Sequence, residues 1–164
     1  MTEYRSTIGP IDEGRKVRMR GRSWHDDPRC PPFDSLRLVR IAHYGFDGLV
    51  HEGELVVASF IAEETARIFG RLFGARFPIE RMTPVDAFDG DDDASMAANN
   101  TSAFNFREIL GKRGLSHHAY GVAIDLNPRL NPMLVDGAVH PPSGAEFLDR
   151  EDVRPGMIVR PGPV

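Results

Sequence analysis

The stretch "SHHAYGVAID", residues 116–125, decides how this chain is read. Two adjacent histidines stand where a turn is expected. An apolar strand over "GVAIDL", residues 121–126, then carries Asp125. Val122, Ile124 and Leu126 would line one face of that strand, with Gly121, Ala123 and Asp125 on the other. Two small residues beside Asp125 leave open space there, and a carboxylate in apolar surroundings is costly unless paired or bound to a cation. His118, just ahead of the strand, can reach the same face. Imidazole with carboxylate is a donor set that suits zinc. An ordinary strand whose Asp125 takes hydrogen bonds from turn amides, capped by His118, accounts for the same residues. Ser116 would stand at the mouth, and His117 points elsewhere on either reading.

Working outward, "KRG" turns the chain into this stretch, and "SAFNFRE" (102–108) alternates as a strand should. The acidic run "DGDDDASM" (89–96) has the spacing of a calcium loop at Asp89, Asp91 and Asp93. However, Ala94 occupies the sharp-turn glycine position and Asn100 the twelfth, so a solvated loop is expected. "FPIERMTPV" (77–85) predicts a short strand between prolines. "SFIAEETARIFGRLFG" (59–74) predicts a helix, with Ser59 as cap, Gly74 as stop and a buried face of Ile61, Thr65, Ile68, Phe69, Leu72 and Phe73. "SLRLVRIAHYGF" (35–46) and "GELVV" (53–57) predict two strands. Residues 1–34, rich in Arg, Gly and Pro, are expected to form an extended polar arm with one short strand at "KVRMR" (16–20).

The chain has 164 residues, enough for one domain with a core, and its 41% apolar and 27% charged content is that of a soluble globular protein. The net charge of −4 is too mild for a nucleic-acid surface, and the basic cluster between Arg15 and Arg22 lacks interleaved aromatics. Cys30 is the single cysteine, which excludes an intrachain disulfide and a multi-thiolate zinc site. No run is apolar enough for a membrane span, and the N-terminus lacks the apolar core of a signal peptide. Short strands segregated from one strong helix predict an α+β fold: a single domain over 35–164 with a small antiparallel sheet flanked by helices.

The same decisive stretch matches the pattern S-x-H-x-x-G-x-A-x-D at Ser116, His118, Gly121, Ala123 and Asp125. On that pattern the chain resembles the zinc D-alanyl-D-alanine carboxypeptidases and dipeptidases, peptidoglycan metallopeptidases of the vancomycin-resistance type. "FDGLVHEGELVV", "FPIERM", "DDDASMAANNTSAFNFR" and "AIDLNPRLNP" also look like one branch of that family. The resemblance implies a D-Ala-D-Ala metallopeptidase-like fold, zinc as cofactor, His118 and Asp125 as two of three metal ligands, and Ser116 as a hydrogen-bond donor to substrate. It implies an arginine that binds the developing oxyanion or the substrate carboxylate, for which Arg107 is the candidate. The implied partner is a peptidoglycan stem peptide, and the implied location the cell envelope.

The family's C-terminal segment, with a general base, a third histidine and accompanying tryptophans, has no counterpart after Asp125. The single tryptophan is Trp24, and the one later histidine is His140, with Asp136 four residues before it. The domain is therefore expected to lack its C-terminal segment, with His140 as a stand-in ligand at best. A zinc-dependent peptidase, its activity in this shortened form open, is the expectation. The alternative is a non-catalytic cell-wall peptide- or protein-binding domain on the same fold.

Overall fold

Apolar alternation on both sides of a five-residue turn builds the centre of the molecule. In the computed structural model, which describes residues 3–160, β2 (Leu36–Tyr44) and β3 (Val50–Ala58) form an antiparallel hairpin in register from Leu36↔Ala58 to Tyr44↔Val50. β1 (Ser6–Gly9) pairs antiparallel on the free edge of β2, giving the order β1-β2-β3. Both faces of this sheet are covered. Val39, Ile41, Leu55 and Val57 face one apolar cluster, while Leu36, Leu38 and Val56 face a second. Apolar side chains thus fall on both faces of the strand, because a strand buried on both sides need not alternate apolar with polar.

The first cluster is closed by α2 (Ala62–Gly74), which lays Ala62, Ala66, Phe69 and Leu72 on the sheet. Ile68, expected on that face, is 42% exposed. The buried line of the helix runs through Ala62, Thr65, Ala66, Phe69 and Leu72 and leaves Ile68 at its edge. Ser59 does not cap α2. It opens a 3-10 turn (Ser59–Ile61) instead, and Ile61 stands at the cap without a side-chain bond. The helix also runs through Gly74 to a left-handed Arg76, whose guanidinium lies over the Tyr44 ring at 4.5 Å.

The segment before Leu36 covers the second cluster. "KVRMR" is helical, not a strand: α1 (Glu13–Met19) starts at Asp12, whose carboxylate accepts from the Arg15 N–H at 2.8 Å. α1 buries Met19 against Phe33, Leu38 and Phe104. Its Arg15 enters between the Glu54 and Asp86 carboxylates, 3.3 Å from the latter. Residues 6–33 therefore supply a sheet edge, a helix and part of the core where an extended arm was expected.

Beyond α2 the regular structure is short. The expected strand at 77–85 reduces to β4 (Arg81–Met82), paired parallel with β5 (Asn100–Thr101). Between them the acidic run forms α3 (Asp92–Ala97), capped by Asp91 on the Ala94 N–H at 3.0 Å. Gly53 lets β4 cross β3, since a Cβ there would stand 2.5 Å from that of Met82. After residue 126 come a hairpin, β6 (Met133–Val135) with β7 (Ala138–His140), and a 3-10 segment (Pro142–Phe147) over a small cluster of Leu130, Phe147 and Met157. The whole is a small α+β fold with short, mainly antiparallel sheets and few helices. No helix among the described residues is long and apolar enough to cross a membrane.

Candidate functional site

Neither strand expected around the decisive stretch forms. Residues 102–108 run extended, but their backbone groups go to different partners. Ser102 bridges Asp125, Phe104 N donates to Val56 O at 2.9 Å, Asn105 N to His118 O at 3.1 Å, and Phe106 N to Ser23 O at 2.9 Å. These bonds form no ladder, so the segment acts as a rib between sheet, N-terminal segment and site. Asp125 takes part in the single bridge at Ser102, with N···O distances of 2.9 and 3.1 Å.

Residues His117–Tyr120 form one 3-10 turn. Ser116 caps it, its Oγ accepting from His118 N at 3.3 Å. Gly121 ends it at φ +68°, and its carbonyl accepts from Ala58 N at 2.9 Å. A Cβ on Gly121 would lie 2.8 Å from that nitrogen. The glycine is therefore needed for a left-handed stop pressed onto β3, not for open space on a strand face. Of the small residues in this stretch, Ala123 lines the cleft.

His118 is buried and held at both ends. Its Nδ1 lies 2.6 Å from the Ala103 carbonyl, and its Nε2 lies 3.3 Å from Asp125 Oδ2. The short contact fixes the proton on Nδ1, since a carbonyl oxygen only accepts. In neutral imidazole Nε2 then presents a lone pair to a carboxylate oxygen, an arrangement that calls for a proton or a cation between them. Burial pulls the His118 pKa down, but the Asp125 carboxylate and the Ala103 carbonyl more than offset this, leaving it above the usual histidine value.

Zinc bound at about 2.0–2.1 Å in tetrahedral geometry separates two ligand atoms by roughly 3.3 Å. The His118–Asp125 spacing fits that pair, and the Nδ1 anchor is the usual support for a ligating imidazole. The fit extends to two corners. Among the described residues no group of three His, Cys, Asp or Glu side chains could hold a metal ion.

The pair opens into a cleft of about 530 Å³ that also takes in Arg107, Ser116, exposed His117 and His140. Apolar Ile109, Leu110, Met133 and Val135 line it too. The candidates Ser116, His118, Asp125 and Arg107 thus share one cavity. His140 reaches it from the end of β7 but makes no metal group with the other two.

Asp92 was not foreseen. From the first turn of α3 its carboxylate meets Arg107 Nη2 at 2.8 Å inside the cleft. Burial raises the Asp92 pKa above the usual carboxylate value, with Arg107 and His118 opposing and Asp125 reinforcing the shift. Its signal lay in Asp91, a capping residue followed by helix-forming Ala94, Met96 and Ala97, which turns the acidic run from a loop into a helix start.

No curated protein and no solved structure matches the chain. Residues 110–157, which include Ser116, His118, Gly121, Ala123 and Asp125 but neither Asp92 nor Arg107, match a family model described as D-alanyl-D-alanine carboxypeptidase, and over that segment the chain is similar to that peptidase family.

Proposed function

We propose that this cleft binds the D-alanyl end of a peptidoglycan stem peptide and that the chain is a metallopeptidase of the D-alanyl-D-alanine carboxypeptidase type. The observation that carries the reading is the His118–Asp125 pair, spaced 3.3 Å apart with the imidazole proton anchored on Ala103. On this reading the two side chains would hold two corners of a zinc ion, which would supply Lewis acidity toward a scissile carbonyl. Arg107 takes the substrate carboxylate or the developing oxyanion on its guanidinium fork. Ser116 Oγ accepts from His118 N, so its own hydroxyl hydrogen remains to be donated to substrate. The apolar wall at Ile109, Leu110 and Met133 suits the methyl groups of alanyl residues and keeps water from the peptide.

The test is elemental analysis of the purified protein beside a His118→Ala variant, with release of D-alanine from an acyl-D-alanyl-D-alanine peptide. About one zinc per chain, lost in the variant, is the expected result. Equal metal in both proteins refutes the assignment. A second reading is favoured by the lack of a third ligand among the described residues: a domain that binds the same peptide without cleaving it. Under that reading the peptide binds and no D-alanine appears.

A further inference from the structure

Arg107 ends the rib, and its guanidinium is held on one side only. Nη2 donates to Asp92 Oδ2 at 2.8 Å, Nη1 lies 3.4 Å from the Glu108 carbonyl, and Nε is buried without a partner. Among the described residues Asp92 is the one carboxylate paired with Arg107. Both side chains are mostly buried, at 27% and 20% exposure, so their contact is shielded from solvent. Asp92 in turn stands on a fixed base. Asp91 caps α3, and Ser95, one turn on, receives the Asn100 side-chain amide at 2.9 Å. α3 and the rib are thereby joined by an ion pair across the mouth of the His118–Asp125 site.

We propose that Asp92 is a positioning residue that holds the Arg107 guanidinium in the orientation that receives a substrate's terminal carboxylate. The proposal rests on the peptidase reading of the cleft and goes beyond it, since it concerns how the arginine is presented. An arginine has five N–H donors in a rigid plane, and Asp92 on Nη2 restrains that plane while leaving Nη hydrogens beyond those turned to Asp92 and Glu108. Fixing it in advance removes part of the rotamer entropy that binding would otherwise cost.

The opposite consequence is physically available. A neighbouring carboxylate also cancels charge, and if that dominated, removing it would strengthen anion binding. The direction of the effect therefore decides the matter.

Asp92→Asn and Asp92→Glu are compared with the unaltered protein by calorimetric binding of N-acetyl-D-alanyl-D-alanine and of its C-terminal amide, with thermal melts to verify folding. The unaltered protein should prefer the acid to the amide. Asp92→Asn should weaken the acid about tenfold, the scale of one charge-assisted hydrogen bond, and leave the amide within about twofold. Asp92→Glu, which keeps the charge on a longer arm, should lose less, again on the acid alone. A structural role would weaken both ligands together, and tighter acid binding in Asp92→Asn would show charge cancellation; either result overturns the proposal. No preference for the acid in the unaltered protein would refute Arg107 as the carboxylate receptor, and with it the proposal. A preference retained undiminished in both variants would overturn the positioning role alone. If Asp92→Asn does not fold, Asp92→Glu carries the same decision.

Discussion

Gly121→Ala tests how the fold sets the site. The residue sits at φ +68° with its carbonyl 2.9 Å from Ala58 N, and an added Cβ would fall 2.8 Å from that nitrogen and 3.2 Å from the Val57 carbonyl carbon. Neither obstacle is the end of a flexible side chain, so the turn itself must move. A left-handed conformation costs an L-residue about 1–2 kcal/mol. Losing the Ala58–Gly121 hydrogen bond costs about 0.5–1.5 kcal/mol more. Their sum, centred near ~2.5 kcal/mol, corresponds in a chain of this size to a fall in Tm of roughly 5–10 °C. Because His118 and Asp125 flank the glycine, metal retention should fall as well. Thermal denaturation by circular dichroism and zinc content check both effects. A variant that melts within about 1 °C of the parent, well below the shift expected for this mechanism, would refute the argument that the backbone contact fixes the turn.

Three further outcomes are expected. A histidine whose folded pKa lies above its unfolded value stabilises the fold below the unfolded value, and that contribution is lost as pH rises through the folded value. Since the His118 pKa is raised, with Asp125 among the causes, metal-free protein should outlast Asp125→Asn most clearly below the usual histidine value of about 6.5 and lose that margin as pH rises through the raised folded value, read by melts across the range. Added zinc should reverse the trend, because proton and metal compete for Nε2. Arg15→Met should cost about 3–5 kcal/mol in urea denaturation, since it strips the pairing from Asp86, whose side chain is 1% exposed and, among the described residues, otherwise has only Arg18 at 3.9 Å. Asp12→Ala should cost about 1 kcal/mol in the same assay through loss of the α1 cap.

What was legible in the sequence follows from how local each cause is. The β2–β3 hairpin and α2 announce themselves because their own residues carry the periodicity that burial requires. The His118–Asp125 pair was legible as residue types at a spacing. α1 was not, because its signal is a single cap at Asp12 followed by charged residues, among which the burial of Arg15 depends on Glu54 and Asp86, distant in sequence. The apparent strands at 102–108 and 121–126 have the right composition and no ladder, because their backbone partners are scattered over β3, the N-terminal segment, the His118 turn and each other. Asp92 lay inside a run of like residues, where only the cap at Asp91 and the fold could single it out.

The rib at 102–107 also limits what the gene can tolerate. The consecutive amides of Phe104, Asn105 and Phe106 serve unrelated parts of the molecule, which specifies its alignment. Inserting or deleting one residue would turn each side chain of an extended segment to the opposite side. The Ala103 carbonyl that holds His118 would be replaced by a neighbour facing away, while the N-terminal contact at Ser23 and the sheet contact at Val56 slipped together. Length change should be confined to places such as the tip of the β6–β7 hairpin, where Asp136 and Gly137 are exposed. Substitution can reach the site residue by residue, but frame-preserving insertion through the rib cannot.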